Sequence, residues 1–241
     1  MNKSIAFLEL KYGNIYGGYP NFYAISEIAL LVFETDTKRI FLESWINNAG
    51  VDIVTVTSKT NELGHTLGRV KEVVNMKTRR KRPFEEDFKL DEAALAQEFA
   101  KLRPSKGPIR NFMTKNFKKY RFRDIVVFDG RRDVFLCERS GANFSRYNII
   151  DLQKELNRET EYLFSLNKLS VVINFELDQS YLRSNNLEYW LHPIAARQIV
   201  PKSAAYDAAR LLMVHNEYKF NNPDFMIKAQ LVLNKIQNPK V

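Results

Sequence analysis

The chain opens on an apolar run, Ile5-Ala6-Phe7-Leu8-Glu9-Leu10-Lys11, bounded by Tyr12-Gly13-Asn14 and Gly17-Gly18. A run of this length closed by glycines predicts a buried strand. Residues two apart share a strand face, so Glu9 and Lys11 project together beside Phe7 and Ile5. Either the strand is leaving the core there, or its C-terminal end opens on a site. Apolar runs at 24–33 and 39–45 follow, parted by Thr35-Asp36-Thr37. Three successive antiparallel strands are predicted, with a short fourth at 51–57 where Val51, Ile53, Val54 and Val56 recur.

Residues 58–90 lack any core-like pattern and read as a solvated loop or a phosphate-contacting arm, with the cationic cluster Lys77-Thr78-Arg79-Arg80-Lys81-Arg82 at its centre. Periodicity then changes to that of a helix at 91–102, where Leu95, Phe99 and Leu102 share a face and Asp91 and Glu92 favour the N-terminus. A second helix is predicted over 109–120, with Phe112, Met113 and Phe117 inward and Lys115, Lys118 and Lys119 outward. A strand at 124–130 runs through Gly130 into the helical residues 131–139, an α/β signature. Residues 149–153 read as a short strand or a helix entry, and 169–175 as helix. Further helices are expected at 186–199 (broken or capped at Pro193), at 203–215 after Pro201, and at 221–241, where Met226, Ile227, Leu231, Val232, Leu233 and Ile236 form a stripe ahead of a frayed tail.

Composition narrows the partners. The 241 residues are 45% hydrophobic, enough for a sizeable core. Their formal charge of +9 favours an anionic partner such as nucleic acid. A lone cysteine, Cys137, excludes an intramolecular disulfide and zinc sites built on cysteine pairs. No apolar segment approaches a membrane span, and the N-terminus lacks a signal peptide's layout, so a cytoplasmic protein without membrane contact is expected. A homodimer is compatible with the sequence.

Three acids stand out by position: Glu9 on the first strand, Asp133 after the 124–130 strand, and Asp207 early in the late helix. The order resembles the ribonuclease H-like fold of the DEDD 3′–5′ exonucleases, in the branch of the RNase T-like and KapD-like enzymes. Glu9-Leu10-Lys11 stands where that family has Asp-x-Glu. Phe128-Asp129-Gly130-Arg131-Arg132-Asp133-Val134-Phe135-Leu136 and Ile150-Asp151-Leu152 are similar to its second motif and the segment after it. Lys202-Ser203-Ala204-Ala205-Tyr206-Asp207-Ala208 is similar to His-x-Ala-x-x-Asp-Ala. The resemblance covers the first three strands and residues 124–216. It implies a mixed α/β sheet, three antiparallel strands plus parallel ones, flanked by helices. It also implies a domain over residues 1–220 with a basic insertion around 58–90, followed by a C-terminal helix or tail, 221–241.

In that family four acids hold two Mg²⁺ or Mn²⁺ ions that activate water at a 3′-terminal phosphodiester, with a His as base. The sequence departs from this at Lys11, where a carboxylate is expected, at Lys202, where the base is expected, and more mildly at Glu9. Exchanging a carboxylate for an ammonium about 5 Å from a divalent ion loses and adds terms of about 6–7 kcal/mol each at an effective dielectric near 20. Both lysines therefore point to a damaged two-metal site. Three functions follow. One is a pseudo-nuclease in which Lys11 and Lys202 hold phosphate beside Glu9, Asp133 and Asp207. Another is an active exonuclease on single-stranded DNA or RNA ends, with metal on those three acids and Glu27 or Asp129 supplying a missing ligand. The last is a module that binds another protein. Arg79, Arg80, Lys81, Arg82, Lys118, Lys119, Arg131 and Arg132 are the expected nucleic-acid contacts. Tyr16, Tyr19, Phe22 and Tyr23 read as base-stacking or core aromatics. His65, His192 and His215 read as surface, capping and interface residues.

Overall fold

The computed structural model describes residues 3–18 and 22–237, so Tyr19 lies outside the described residues, as do the side chain of Ile236 and the tail from 238 onward. Strand β1 (Ser4–Ile15) pairs antiparallel with β2 (Tyr23–Glu34), and β2 with β3 (Ile40–Ile46). Strand β4 (Asp52–Thr60) and β5 (Thr66–Asn75) form a long hairpin to which β6 (Lys81–Pro83) adds. Sixteen of the 33 residues of the expected loop at 58–90 are therefore strand. Its residues are exposed on both faces, so no apolar alternation marks them as strand.

Helices α1 (Glu92–Leu102) and α2 (Lys106–Lys119) follow, the first capped by Asp91 Oδ1, which accepts from the Ala94 N–H. Strand β7 (Asp124–Val127) leads into α3 (Arg131–Arg139), and β8 (Asn148–Asp151) into α4 (Leu152–Thr160) and α5 (Leu166–Val172). Strands β9 (Glu176–Asp178), β10 (Tyr181–Arg183) and β11 (Glu188–Trp190) make a small separate sheet. The helix expected over 186–199 is thus a strand followed by a single turn, α6 (Pro193–Ala196). Three-residue strands are too short to carry a period. Helix α7 (Ala204–Phe220) is nearly wholly buried, and α8 (Asn222–Gln237) inserts Phe225, Ala229 and Leu233 into the core.

The large sheet runs β3-β2-β1-β4-β5-β6, with β7 on β1 and β8 on β7, both in parallel. Its two faces bury alternate residues of β1. Phe7 packs with Leu31, Phe33 and Val126 beneath α7, while Ala6, Leu8 and Leu10 pack with Ile109, Met113 and Leu136 of α2 and α3. Each large side chain so buried contributes about 1.5–3 kcal/mol. A third cluster, Ile15, Val51, Ile53, Met76 and Leu95, seats the base of the β4–β5 hairpin. Among the described residues no helix is long and apolar enough to cross a membrane.

Candidate functional site

One edge of β1 changes partner along its length. Ile5 to Phe7 pair with β7, and Asn14 and Ile15 pair with β4. Between them, from Leu8 to Gly13, that edge meets neither strand. The N-terminus of α3 enters the gap and sets Asp133, in its first turn, near the Leu10 backbone N–H, which favours its charged form. The turn that aims α3 there is tight: a Cβ on Gly130 would fall 2.3 Å from Val127 Cβ, so only glycine fits.

Glu9 and Lys11 lie on the β1 face that meets α7. Ser203 caps that helix by accepting from the Tyr206 N–H, which sets Asp207 in the first turn. Lys11 Nζ donates to Asp207 Oδ2, and Arg210 Nη2 donates to Asp207 Oδ1 at 2.5 Å. Arg210 also donates through Nη1 to Asn167 Oδ1 at 2.6 Å, while its Nε is buried with no partner. Burial, reinforced by the charges of Asp133 and Asp207, pushes the Glu9 carboxyl well above the usual carboxylate range. The same desolvation, opposed by the Leu10 N–H and Lys11, pushes Asp133 up to about 7. Glu9 Oε1 is buried and accepts no hydrogen bond. Glu9, Asp133, Asp207, Lys11 and Arg210 thus form one electrostatic cluster.

Lys202 is exposed, in a turn with φ +72°, and its side chain enters no ion pair or hydrogen bond among the described residues. Glu27 Oε2 instead accepts from the Ala204 N–H at 3.0 Å, and its Oε1 lies 3.6 Å from Arg79 Nη1. Asp129 is exposed, and its N–H donates to Asp151 Oδ1 at 3.2 Å. Among the described residues no three His, Cys, Asp or Glu side chains are grouped to hold one ion. The two-ion arrangement implied by the resemblance does not fit these residues. Both oxygens of Asp207 are held by cations, and an ammonium stands beside Glu9.

The expected nucleic-acid contacts are scattered. Arg79 reaches the site margin through Glu27, whereas Lys81 pairs with Glu72 and Arg82 with Asp52, each at 2.8 Å, and Lys119 pairs with Glu43 at 2.6 Å. Arg80, Lys118 and Arg131 are exposed. Arg132 lies over the Tyr23 ring at 4.6 Å and near that of Tyr12 at 6.0 Å, beside the α3 N-terminus. Tyr16 is core, stacked on Phe88 at 4.5 Å. Cys137 is buried, and burial raises its thiol pKa. His65 is on the surface, and His192 caps α6 by accepting from the Ile194 N–H. His215 is buried edge-on to Phe7 at 5.3 Å, so it belongs to the core and not to an interface.

Arg210 and Asn167 were absent from the expected set. Arg210 had a signal, since a residue three after Asp207 on a helix shares its face. Asn167 had none. No family model matches this chain, and no curated protein matches it. A solved structure of a full-length 3′-exonuclease is similar at 15% identity over 88% of this chain, with a TM-score of 0.35. The chain spans 60% of that protein's length.

Proposed function

We propose that this protein binds the phosphodiester backbone of single-stranded nucleic acid at the β1–α3–α7 cluster, on a ribonuclease H-like frame, without two-metal hydrolysis. The observation that carries the reading is Asp207 clamped between Lys11 and Arg210. Lys11 stands where the resemblance calls for a metal-binding carboxylate, Arg210 joins it on the other oxygen of Asp207, and a guanidinium and an ammonium are both suited to phosphate. Asp207 holds both cations in place in the absence of ligand. A phosphate that arrives exchanges with Asp207 for one of them, which favours modest, salt-sensitive affinity.

Fluorescence anisotropy of a labelled oligothymidylate or oligouridylate tests this. Binding is expected to weaken steeply with salt, roughly as the number of phosphates contacted, and Lys11→Met with Arg210→Met is expected to reduce it about tenfold or more. Salt-independent binding, or binding equal in the double variant, refutes the proposal. The end-labelled strand is expected to stay intact in Mg²⁺ and Mn²⁺. The buried, unpartnered Glu9 Oε1 favours the hydrolytic alternative, which a product ladder abolished by Asp133→Ala would establish instead.

A further inference from the structure

The large sheet ends on β3, which pairs with β2 and with no other strand among the described residues. The register runs without a shift from Phe33 opposite Ile40 to Glu27 opposite Ile46. Just beyond its ends the Glu34 N–H donates to Arg39 O and the Asn47 N–H to Ser26 O, each at 2.9 Å. Hydrogen-bonded pairs alternate along an antiparallel ladder, so Phe41, Glu43 and Trp45 turn their backbone groups to β2. Ile40, Leu42, Ser44 and Ile46 turn theirs outward, and among the described residues those N–H and C=O groups have no hydrogen-bond partner. Ser44 Oγ donates to Gln198 Oε1 at 2.7 Å, so the side chain is engaged while the backbone is not.

Other ends of the sheet are guarded. Strand β6 is three exposed residues, Lys81-Arg82-Pro83, and short length, charge and proline all deter pairing. Strand β8 has four residues and runs straight into α4. Strand β3 has seven residues, no proline and no basic side chain. Its single acid, Glu43, accepts from Lys119 Nζ and from the Tyr120 hydroxyl, each at 2.6 Å. At one end Ile46 is 51% exposed. At the other, Ile40, Phe41, Tyr189 and Trp190 line a cavity of about 500 Å³.

We propose that β3 pairs antiparallel with β3 of a second copy, about a two-fold axis at Glu43, so that the large sheet continues across a homodimer. The one register that pairs all seven residues sets Ile40 opposite Ile46 and Leu42 opposite Ser44, and all four of these face outward. Every outward N–H and C=O of the edge then finds a partner. Residues directly opposite share a sheet face, and Ile40 and Leu42 face α7. Ile46 of the second copy therefore comes beside Ile40, where the cavity lies, and the symmetry repeats that contact at the far end. Lys38 and Arg39 fall opposite Asn48 and Asn47 of the second copy, so no cations meet. Glu43 meets its own counterpart, but Lys119 balances each carboxylate. The contact is isologous and closes at two copies.

Sedimentation equilibrium from about 1 to 100 µM tests this, since an edge this short favours micromolar, reversible association. Twice the mass of one chain is expected at the upper end. Ser44→Pro removes an outward N–H that β2 does not use, and Ile46→Lys puts a charge beside Ile40. Each is expected to weaken the dimer about tenfold or more, with an unchanged circular dichroism spectrum establishing that the variant is folded. Oxidation with copper phenanthroline tests the axis. Glu43→Cys is expected to cross-link to its counterpart, and Ile46→Cys, about 20 Å from its own, is not; Cys137 is buried and does not compete. A wild-type chain that stays monomeric at every concentration overturns the proposal. A dimer that neither Ser44→Pro nor Ile46→Lys weakens, or one that cross-links through Ile46→Cys and not Glu43→Cys, overturns it as well.

Discussion

Asp133 should make this protein less stable as the solution becomes more alkaline, and Asp133→Asn should remove that dependence. Asp133 is 6% exposed, and burial lifts its carboxyl pKa from an ordinary 3.8 to about 7 in the folded chain. A group with a raised folded pKa contributes fully below its unfolded value, and the contribution is lost as pH climbs to the folded one. The window is therefore about pH 4 to 7, with stability falling as pH rises. A tenfold change in proton affinity is worth ~1.4 kcal/mol, so the whole rise amounts to about 4 kcal/mol above pH 7. Asparagine keeps an oxygen for the Leu10 N–H and has no charge to desolvate. It also relieves Glu9, whose own pKa is raised in part by the Asp133 charge. Urea unfolding of both proteins between pH 5 and pH 8 checks this. The variant is expected to be more stable by about 2–4 kcal/mol at pH 8, and the gap is expected to shrink by roughly 3 kcal/mol on descending to pH 5. A gap that stays constant across that range refutes the assignment of a buried, hard-to-ionise carboxyl to Asp133.

Two further outcomes follow from the core. Burial lowers the His215 pKa, so its contribution to stability is full above about pH 6.5 and declines as pH falls below it. His215→Leu should flatten that acid limb in urea titrations, while costing about 1–3 kcal/mol at pH 7 because Asn216 Oδ1 loses its partner at 3.0 Å. Glu217 is 1% exposed and accepts from Ser184 Oγ at 2.6 Å, the Asn186 N–H at 2.8 Å and Asn186 Nδ2 at 3.0 Å, tying the loop between β10 and β11 to α7. Glu217→Ala should destabilise by about 3 kcal/mol or more, with hydrogen exchange accelerating first in β9–β11.

What the sequence revealed and what it hid have the same physical origin. Strands β1 and β2 are buried along most of their length, so they appear as long apolar runs with few polar interruptions, and Gly130 after the 124–127 strand marks the turn into α3. The acids were found by order along the chain, and β1, α3 and α7 bring them to one break in a sheet edge. The cations were harder to place. Lys11 reads as a replacement on a strand face, and the structure pairs it with Asp207, 196 residues away. Lys202 is adjacent in sequence to the α7 cap yet points to solvent. Arg210 takes the second cationic place from one helical turn further on. Of the β4–β5 hairpin only the first half of β4 was legible, as the strand expected at 51–57; the rest was hidden because an arm exposed on both faces has no buried side to pattern.

The same exposure bears on why the arm is there at all. A hairpin that buries little has weak reason to hold one position, yet this one ends on Gly64, packed too closely against the Asn167 backbone for any other residue. The docking is local, made at the tip against Asn167, and Asn167 is also the residue that holds Arg210. The arm's docking and the geometry of Arg210 therefore share one anchor. Displacing the tip frees Asn167 to move, and Arg210 then keeps Asp207 and the face of the Tyr206 ring. Gly64→Val is therefore expected to loosen the Arg210–Asp207 pair together with the arm, and hydrogen exchange that quickens in β4–β5 while α7 and α5 stay unchanged would refute that link.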